Sequence, residues 1–242
     1  MKLTLFFLVS IFLMGCSHNV YLPGSHRQRP DVQEKQWGGD VAVGLNPYVS
    51  VEVFDNITTN PPTRTDGINS DLAQVALAIL PFVDVNLGLM ERLDLYYTTG
   101  LGLRYQWLGE IGKEGWKSTL WGGLNALNIN ADDTEGTTTA KSKVDGFEYG
   151  LSFGRDFGNH SLIYVTVGKT TGGAKTTITQ PANVFKYSDD FEHTILSLGA
   201  NVGHKWYFWA EASATETRWK TKDAGSSTQT NSSYLIGIGT RF

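Results

Sequence analysis

From Trp37 to Phe242 polar and apolar residues exchange places at every second position, run after run, between clusters of turn-forming residues. A period of two suits a strand with two different faces, whereas a helix repeats every 3.6 residues. Val83-Asp84-Val85-Asn86-Leu87-Gly88-Leu89 sets valine and leucine on one face and Asp84, Asn86 and Gly88 on the other. The runs from 93 to 97, 101 to 107, 147 to 153, 196 to 202, 206 to 214 and 234 to 242 repeat the arrangement. The pattern predicts an all-β chain of ten strands, near 37–54, 72–89, 93–99, 101–108, 116–127, 144–154, 161–169, 191–203, 206–216 and 231–242. Eight or twelve strands also fit so weak a per-strand signal.

Alternation alone does not say what each face meets, because soluble sheets alternate too. Three details favour a transmembrane antiparallel up-and-down barrel. Glycines recur on the polar face (Gly44, Gly88, Gly102, Gly150, Gly154, Gly199, Gly237, Gly239), as a narrow interior shared with large residues such as Tyr48 and Tyr96 requires. Trp37, Trp107, Trp116, Phe153, Trp206 and Phe242 fall where strands approach short turns, the pattern of an aromatic girdle at a membrane boundary. Short connections near 90–92, 109–115, 155–160 and 203–205 alternate with long polar ones near 55–71, 128–143, 170–190 and 215–231. A net charge of −4, with charged residues at only 18%, argues against a nucleic-acid partner and against disorder.

In hydrocarbon every backbone polar group needs an internal partner, so strands cross only as a closed barrel. Turning the charged face outward would cost about 2–4 kcal/mol for each mid-membrane Arg or Lys. The polar face therefore points inward, and parity assigns the lumen Asp40, Glu52, Asp84, Asp94, Glu148 and Glu211 with Arg104, Lys117 and Arg241. Two readings stay open for these charges. They form a salt-bridged plug of side chains, or they line a narrow acidic path that prefers cations.

Lys2 and the apolar run from Leu3 to Met14 form a stretch too short to span a membrane as a helix. The run ends in Leu13-Met14-Gly15-Cys16, which resembles the lipobox of bacterial lipoproteins. That resemblance implies a signal peptide over 1–15 and lipidation of Cys16, the sole cysteine, with residues 16–36 as lipidated N-terminus and flexible tether before a barrel over 37–242. Ser17 after the cysteine resembles the sorting signal for the outer membrane. The C-terminal Tyr234-x-Ile236-x-Ile238-x-Thr240-x-Phe242 resembles the closing strand of bacterial outer-membrane β-barrels, the part engaged by the barrel-assembly machinery. Gly88-Leu89-Met90-Glu91-Arg92-Leu93-Asp94-Leu95 is similar to a hairpin recurrent in small barrels of that superfamily. These resemblances imply outer-membrane lipid and the barrel-assembly and lipoprotein-export machineries as partners. They also imply a monomer, and an even count of ten strands puts both chain ends on the periplasmic side.

Catalytic signals are weak by comparison. Omptin-type proteases and lipid-modifying barrels use acidic residues with a histidine, and here Asp132-Asp133 lie in one long connection and Asp189, Asp190 and His193 near another. The Asp190-x-x-His193 spacing puts these two on opposite faces of a strand, so no catalytic set is assigned. The remaining histidines show no metal spacing, one cysteine makes no multi-cysteine zinc site, and no cofactor motif is present. Gly168-Lys169-Thr170 lacks the first glycine and the helix of a phosphate loop. The leading expectation is a structural barrel or a narrow passive pore for small solutes. Surface recognition through the Thr-rich outer connections is the alternative, and a barrel hydrolase ranks last.

Overall fold

The structure, a computed structural model, describes residues 17–45, 48–65, 81–98, 100–125, 131–158, 161–221 and 225–242. In chain order the strands are β1 (His18–Pro23), β2 (Gly39–Leu45), β3 (Tyr48–Asn56), β4 (Thr63–Arg64), β5 (Pro81–Met90), β6 (Leu93–Tyr97) and β7 (Leu101–Leu108). They continue with β8 (Gly115–Asn125), β9 (Ala131–Glu135), β10 (Thr138–Asp156), β11 (Ser161–Thr179), β12 (Val184–Val202), β13 (Trp206–Thr221) and β14 (Gly225–Arg241). Ten of them form a ring of antiparallel neighbours: β2, β5, β6, β7, β8, β10, β11, β12, β13, β14 and back to β2. The expected up-and-down β-barrel of ten strands is the fold.

Closure follows from the last strand. β14 pairs with β2 from Ile236↔Leu45 to Arg241↔Asp40, and Phe242 and Gly39 exchange backbone hydrogen bonds at 2.9 and 3.0 Å. A closed ring leaves no unpaired edge. One mouth carries the short turns and Phe242; the other carries the hairpins β9–β10, β11–β12 and β13–β14, whose strands reach 19 residues. The long polar connections of the sequence are thus largely strand, with 138–143, 170–179, 184–190 and 215–221 continuing the wall.

The alternation resolves as expected into an apolar outside and a mostly polar inside. Leu103, Leu120, Leu151, Val165, Leu198 and Ile236 are exposed on the outer surface, while Asp84, Asp94, Arg104, Glu148 and Glu211 are buried. Trp37, Trp107, Trp116, Phe153, Trp206 and Phe242 are all exposed near the short-turn mouth, and Trp116 stacks on Phe153 at 5.0 Å. The inward glycines are what admits the large interior rings. Gly102 lies against Tyr96, Gly199 against Tyr164, Gly44 and Gly237 against Trp209, and Gly150 and Gly168 against Trp121. Tyr48, expected among these rings, instead sits half-buried on β3.

Two expectations are corrected, and a third is described only in part. The span 37–54 is not one strand: β2 belongs to the wall, but β3 leaves it to join β1 and β4 in a separate sheet, order β1-β3-β4. The predicted strand 72–89 is described only from Pro81 onward; its first part lies outside the described residues. Residues 17–36 are not a solvated tether, since Val20, Leu22, Ser25, His26, Arg27, Gln28 and Arg29 are all buried within the barrel. The reason is apolar surface. The inner sheet packs Val20, Leu22, Val49, Val51, Val53 and Phe54 against inward Ala140, Val144, Ala174, Ile178, Phe191 and Trp219. The long-hairpin half thereby holds an apolar core of its own, which the segment must enter to bury its apolar side chains.

On the outside of that half, Glu192 ties three strands together by accepting from Lys169 (2.8 Å) and Lys220 (2.5 Å). The lysine hydrogen bonds, then their charges, hold its carboxyl down at about 2 from an ordinary 4.5. A depressed carboxyl stabilises the folded state above its unfolded value and loses that contribution as pH falls toward its folded one. Glu192→Gln is expected to flatten the acid sensitivity of unfolding between pH 4.5 and about 2, read from denaturant midpoints across that window. Glycine packing gives a second test. Gly199→Ala drives a methyl into the Tyr164 ring and is expected to cost about 1–3 kcal/mol. Gly173→Ala, whose nearest neighbour would stand 3.7 Å away, should stay within about 0.5 kcal/mol.

Candidate functional site

The interior is filled by the protein's own N-terminal segment. From β1 the chain runs through Gly24 to Lys35, turns at Trp37 in a left-handed conformation (φ 62°), and enters the wall as β2. Trp37 N–H donates to Gly88 O at 2.8 Å and Gly38 N–H to Lys35 O at 3.0 Å, which seats the reversal at the short-turn mouth. A segment without regular structure must find partners for its backbone and side chains. Nearly every wall strand supplies one.

Arg27 forms an ion pair with Asp84, donates to Tyr207 Oη at 2.8 Å, and lies 4.7 Å from the Trp209 ring. Arg29 pairs with Asp40 at 2.7 Å. His26 Nδ1 is 2.9 Å from Glu148 Oε2, and Ser25 donates to Glu211. The Gln28 carbonyl accepts from Ser152 and from Thr166 (2.8 Å), and the Arg29 carbonyl accepts from Thr119 (2.9 Å). Lower down, Val32 N–H donates to Gln106 (3.1 Å) and Gln33 N–H to Asp94 (3.1 Å). Near the inner sheet, His193 Nε2 approaches the Pro23 carbonyl at 2.7 Å.

The charges explain why the segment belongs there. Asp40, Asp84, Asp94, Glu148 and Glu211 are buried on the wall, whereas Arg104 and Lys117 are the buried wall cations of the same region among the described residues. Arg104 serves Asp94 (2.8 Å) and Lys117 serves Asp156 (3.0 Å), which leaves the other carboxylates to Arg27, Arg29, His26 and hydroxyl donors. Tyr96 donates to Glu148 (2.8 Å), Tyr164 to Glu211 (3.0 Å) and Tyr207 to Asp40 (2.8 Å). Buried carboxylates persist only when paired and hydrogen-bonded. Below this network a cavity of about 570 Å³ opens toward the short turns, with Arg29, Asp31 and Val32 of the segment, and Lys117 and Arg241 of the wall, in its lining.

Most residues assigned to the lumen therefore meet there. One does not sit as expected. Glu52 is on β3, half-buried in the inner sheet rather than on the wall, because the chain leaves the ring after Leu45. Arg241 lines the cavity at the short-turn mouth, 4.9 Å from the Tyr207 ring, and donates to the Gly203 and His204 carbonyls at 3.1 and 2.9 Å. His26, Arg27 and Arg29 escaped the sequence reading. The one available signal was a run of cationic residues in a stretch otherwise ascribed to solvent.

The acidic and histidine residues considered for hydrolysis separate. Asp189 pairs with Arg64 (2.6 and 2.9 Å) and accepts from Trp219 (3.1 Å), Asp190 is exposed, and His193 faces Thr217 and Pro23. Asp132 pairs with Lys141. Asp133 instead meets His18 Nδ1 at 2.6 Å, and His18 Nε2 meets Ser142 Oγ at 2.7 Å. The order acid, imidazole, hydroxyl is that of an acyl-transfer triad. Yet Ser142 is 1% exposed and also bonds Thr176 at 2.6 Å, so its hydroxyl has no approach for a substrate. These contacts fasten the start of β1 to the β9–β10 hairpin.

No protein-family model matches this chain, and a search of curated proteins finds no relative. The interior network is testable directly. Arg27→Met leaves Asp84 without its cation and is expected to destabilise by about 3–5 kcal/mol in denaturant unfolding. Adding Asp84→Asn should recover part of that loss, because the two side chains form one unit.

Proposed function

We propose that the chain is an outer-membrane β-barrel lipoprotein whose lumen is closed by its own N-terminal segment. It acts as a structural envelope protein and conducts small solutes only when that segment is displaced. The observation that carries this reading is the outer surface. Leu196, Leu198, Val165, Val167, Ile163 and Ile236 are each exposed across a continuous sheet, with the aromatic ring at one edge. Soluble monomers rarely expose an apolar patch beyond a few hundred Å², whereas hydrocarbon welcomes one around a barrel whose backbone groups are paired within the wall.

Further support comes from the resemblance of Leu13-Met14-Gly15-Cys16 to a lipobox and of the Tyr234–Phe242 strand to outer-membrane closing strands. The short turns and Phe242 then face the periplasm, and the long hairpins face outward, as is usual for such barrels. Of the two readings of the interior charges, the plug is favoured, but the backbone of residues 24–35 forms it together with side chains. Displacing Arg27 and Arg29 leaves a carboxylate-rich path, so any current through it prefers cations.

Planar-bilayer recording of the full-length protein tests the reading. Wild type is expected to be silent, and Arg27→Gln with Arg29→Gln to give flickering, cation-preferring steps. Sustained steps in wild type would make it an open pore. A protein that stays monomeric and dissolved without detergent would remove the membrane assignment. Incorporation of an alkyne-tagged fatty acid, abolished by Cys16→Ala, reports on the lipid.

A further inference from the structure

The described chain begins and ends at opposite mouths. Ser17 precedes His18, which is clamped to Asp133 and Ser142 where β9 and β10 meet, and the Asn19 N–H also points to Asp133 at 3.3 Å. Asp133 pairs with Ala140 beside the tip at Gly136, on the long-hairpin side. Phe242 pairs with Gly39 on the short-turn side. Between them, residues 18–36 run from one mouth to the other, inside the ring as far as Val32. Their extended reach, roughly 60 Å at about 3.3 Å per residue, covers strands of 19 residues tilted by about 40°.

The backbone pairing continues all the way round the ring, from β2 through β14 and back, so a chain that enters at one mouth leaves by the other. The expectation of two termini on one side therefore fails for the described residues. We infer that the N-terminal end is displayed on the outer face of the membrane by passage through the barrel, and that a lipid on Cys16, one peptide bond from Ser17, is carried to that face instead of anchoring in the inner leaflet. The sidedness rests on the outer-membrane reading above; the threading rests on the contacts alone.

Assembly order follows. An interior already filled with Tyr96, Trp121, Tyr164, Tyr207 and Trp209 has no room for a lipid-bearing end to be pushed through afterwards. The wall closes around the segment, and the geometry suits this, since β2 directly follows it and β14 seals against β2. The partner for the displayed end is lipid of the outer leaflet, reached from the long-hairpin side.

Two measurements on the full chain in a Gram-negative host decide it. A short epitope is placed between Ser17 and His18, at the Gly136 tip, or between His204 and Lys205. Antibody is expected to bind intact cells for the first two and to need permeabilised cells for the third. Separately, Gly24→Cys with Ser233→Cys places one thiol on the segment and one on β14, where an added Cβ on Gly24 would lie 2.9 Å from that of Ser233, so the segment yields by roughly 1 Å to reach the spacing of a disulfide. An oxidant should convert the pair to a reduction-sensitive intramolecular disulfide. If the Ser17 epitope needs permeabilisation while the Gly136 epitope does not, display is overturned. If no disulfide forms, threading is overturned. If the disulfide forms but both the Ser17 and Gly136 epitopes stay hidden, display is again overturned, and the failed premise is the membrane orientation, not the threaded fold.

Discussion

Carboxylates turned into a closed barrel lose water on every side, and the fold stands or falls on how that loss is offset. Asp40, Asp84, Glu148 and Glu211 project from four different wall strands into one interior, and the wall supplies too few cations to meet them. Arg27 and Arg29 arrive from the N-terminal segment, spread their guanidiniums between Asp84, Asp40 and Tyr207, and lie over the Trp209 and Tyr207 rings. A guanidinium suits this role because its donors fan out in a plane and its face tolerates aromatic contact. The segment is thus part of the electrostatic structure of the barrel rather than a passenger in it.

The two halves of the interior solve the same problem by different chemistry. Toward the short turns the contents are polar, and Ser, Thr and Tyr hydroxyls donate to Glu148, Glu211, Asp40 and Asp84 and to carbonyls of the segment. Toward the long hairpins the wall turns apolar inside, with Ala140, Val144, Ala174 and Ile178 facing the sheet made by β1, β3 and β4. Arg64, held by Asp189 and stacked near Phe54 and Tyr187 at 4.4 and 4.5 Å, pins that sheet to the wall. Hairpins that extend beyond an apolar band are expected to be solvated on both faces. Here they enclose a second core, which accounts for strands of 19 residues persisting with regular register.

Such an arrangement makes the interior a lock as well as a filler. Segment contacts reach from β5 to β13, so loosening one ion pair leaves the others in place. Aromatic rings held by facing glycines fix the lower wall, because each ring occupies the volume that a Cβ on the opposite strand would need. Displacement of the segment therefore demands that several buried groups lose partners together, which keeps the barrel closed.

Much of the wall was legible in the alternation itself. Val83 to Leu89 and Leu196 to Val202 show on the page which side chains face out, because a strand has no other way to separate valine and leucine from Asp84 or Ser197. The inward glycines and the aromatic edge were legible for the same reason. Residues 17–36 were not. Their sequence has no period, their polar character resembles a solvated linker, and the groups that hold them, from Asp84 to Glu211, lie far along the chain and on different strands. The break after Leu45 was equally hidden, since β3 alternates much as a wall strand does. Sequence determined the two faces of the wall, because period two is a local property of each strand. Only the closed tertiary structure decided what occupies the interior, because that choice depends on charges and apolar surfaces that become neighbours once the ring is complete.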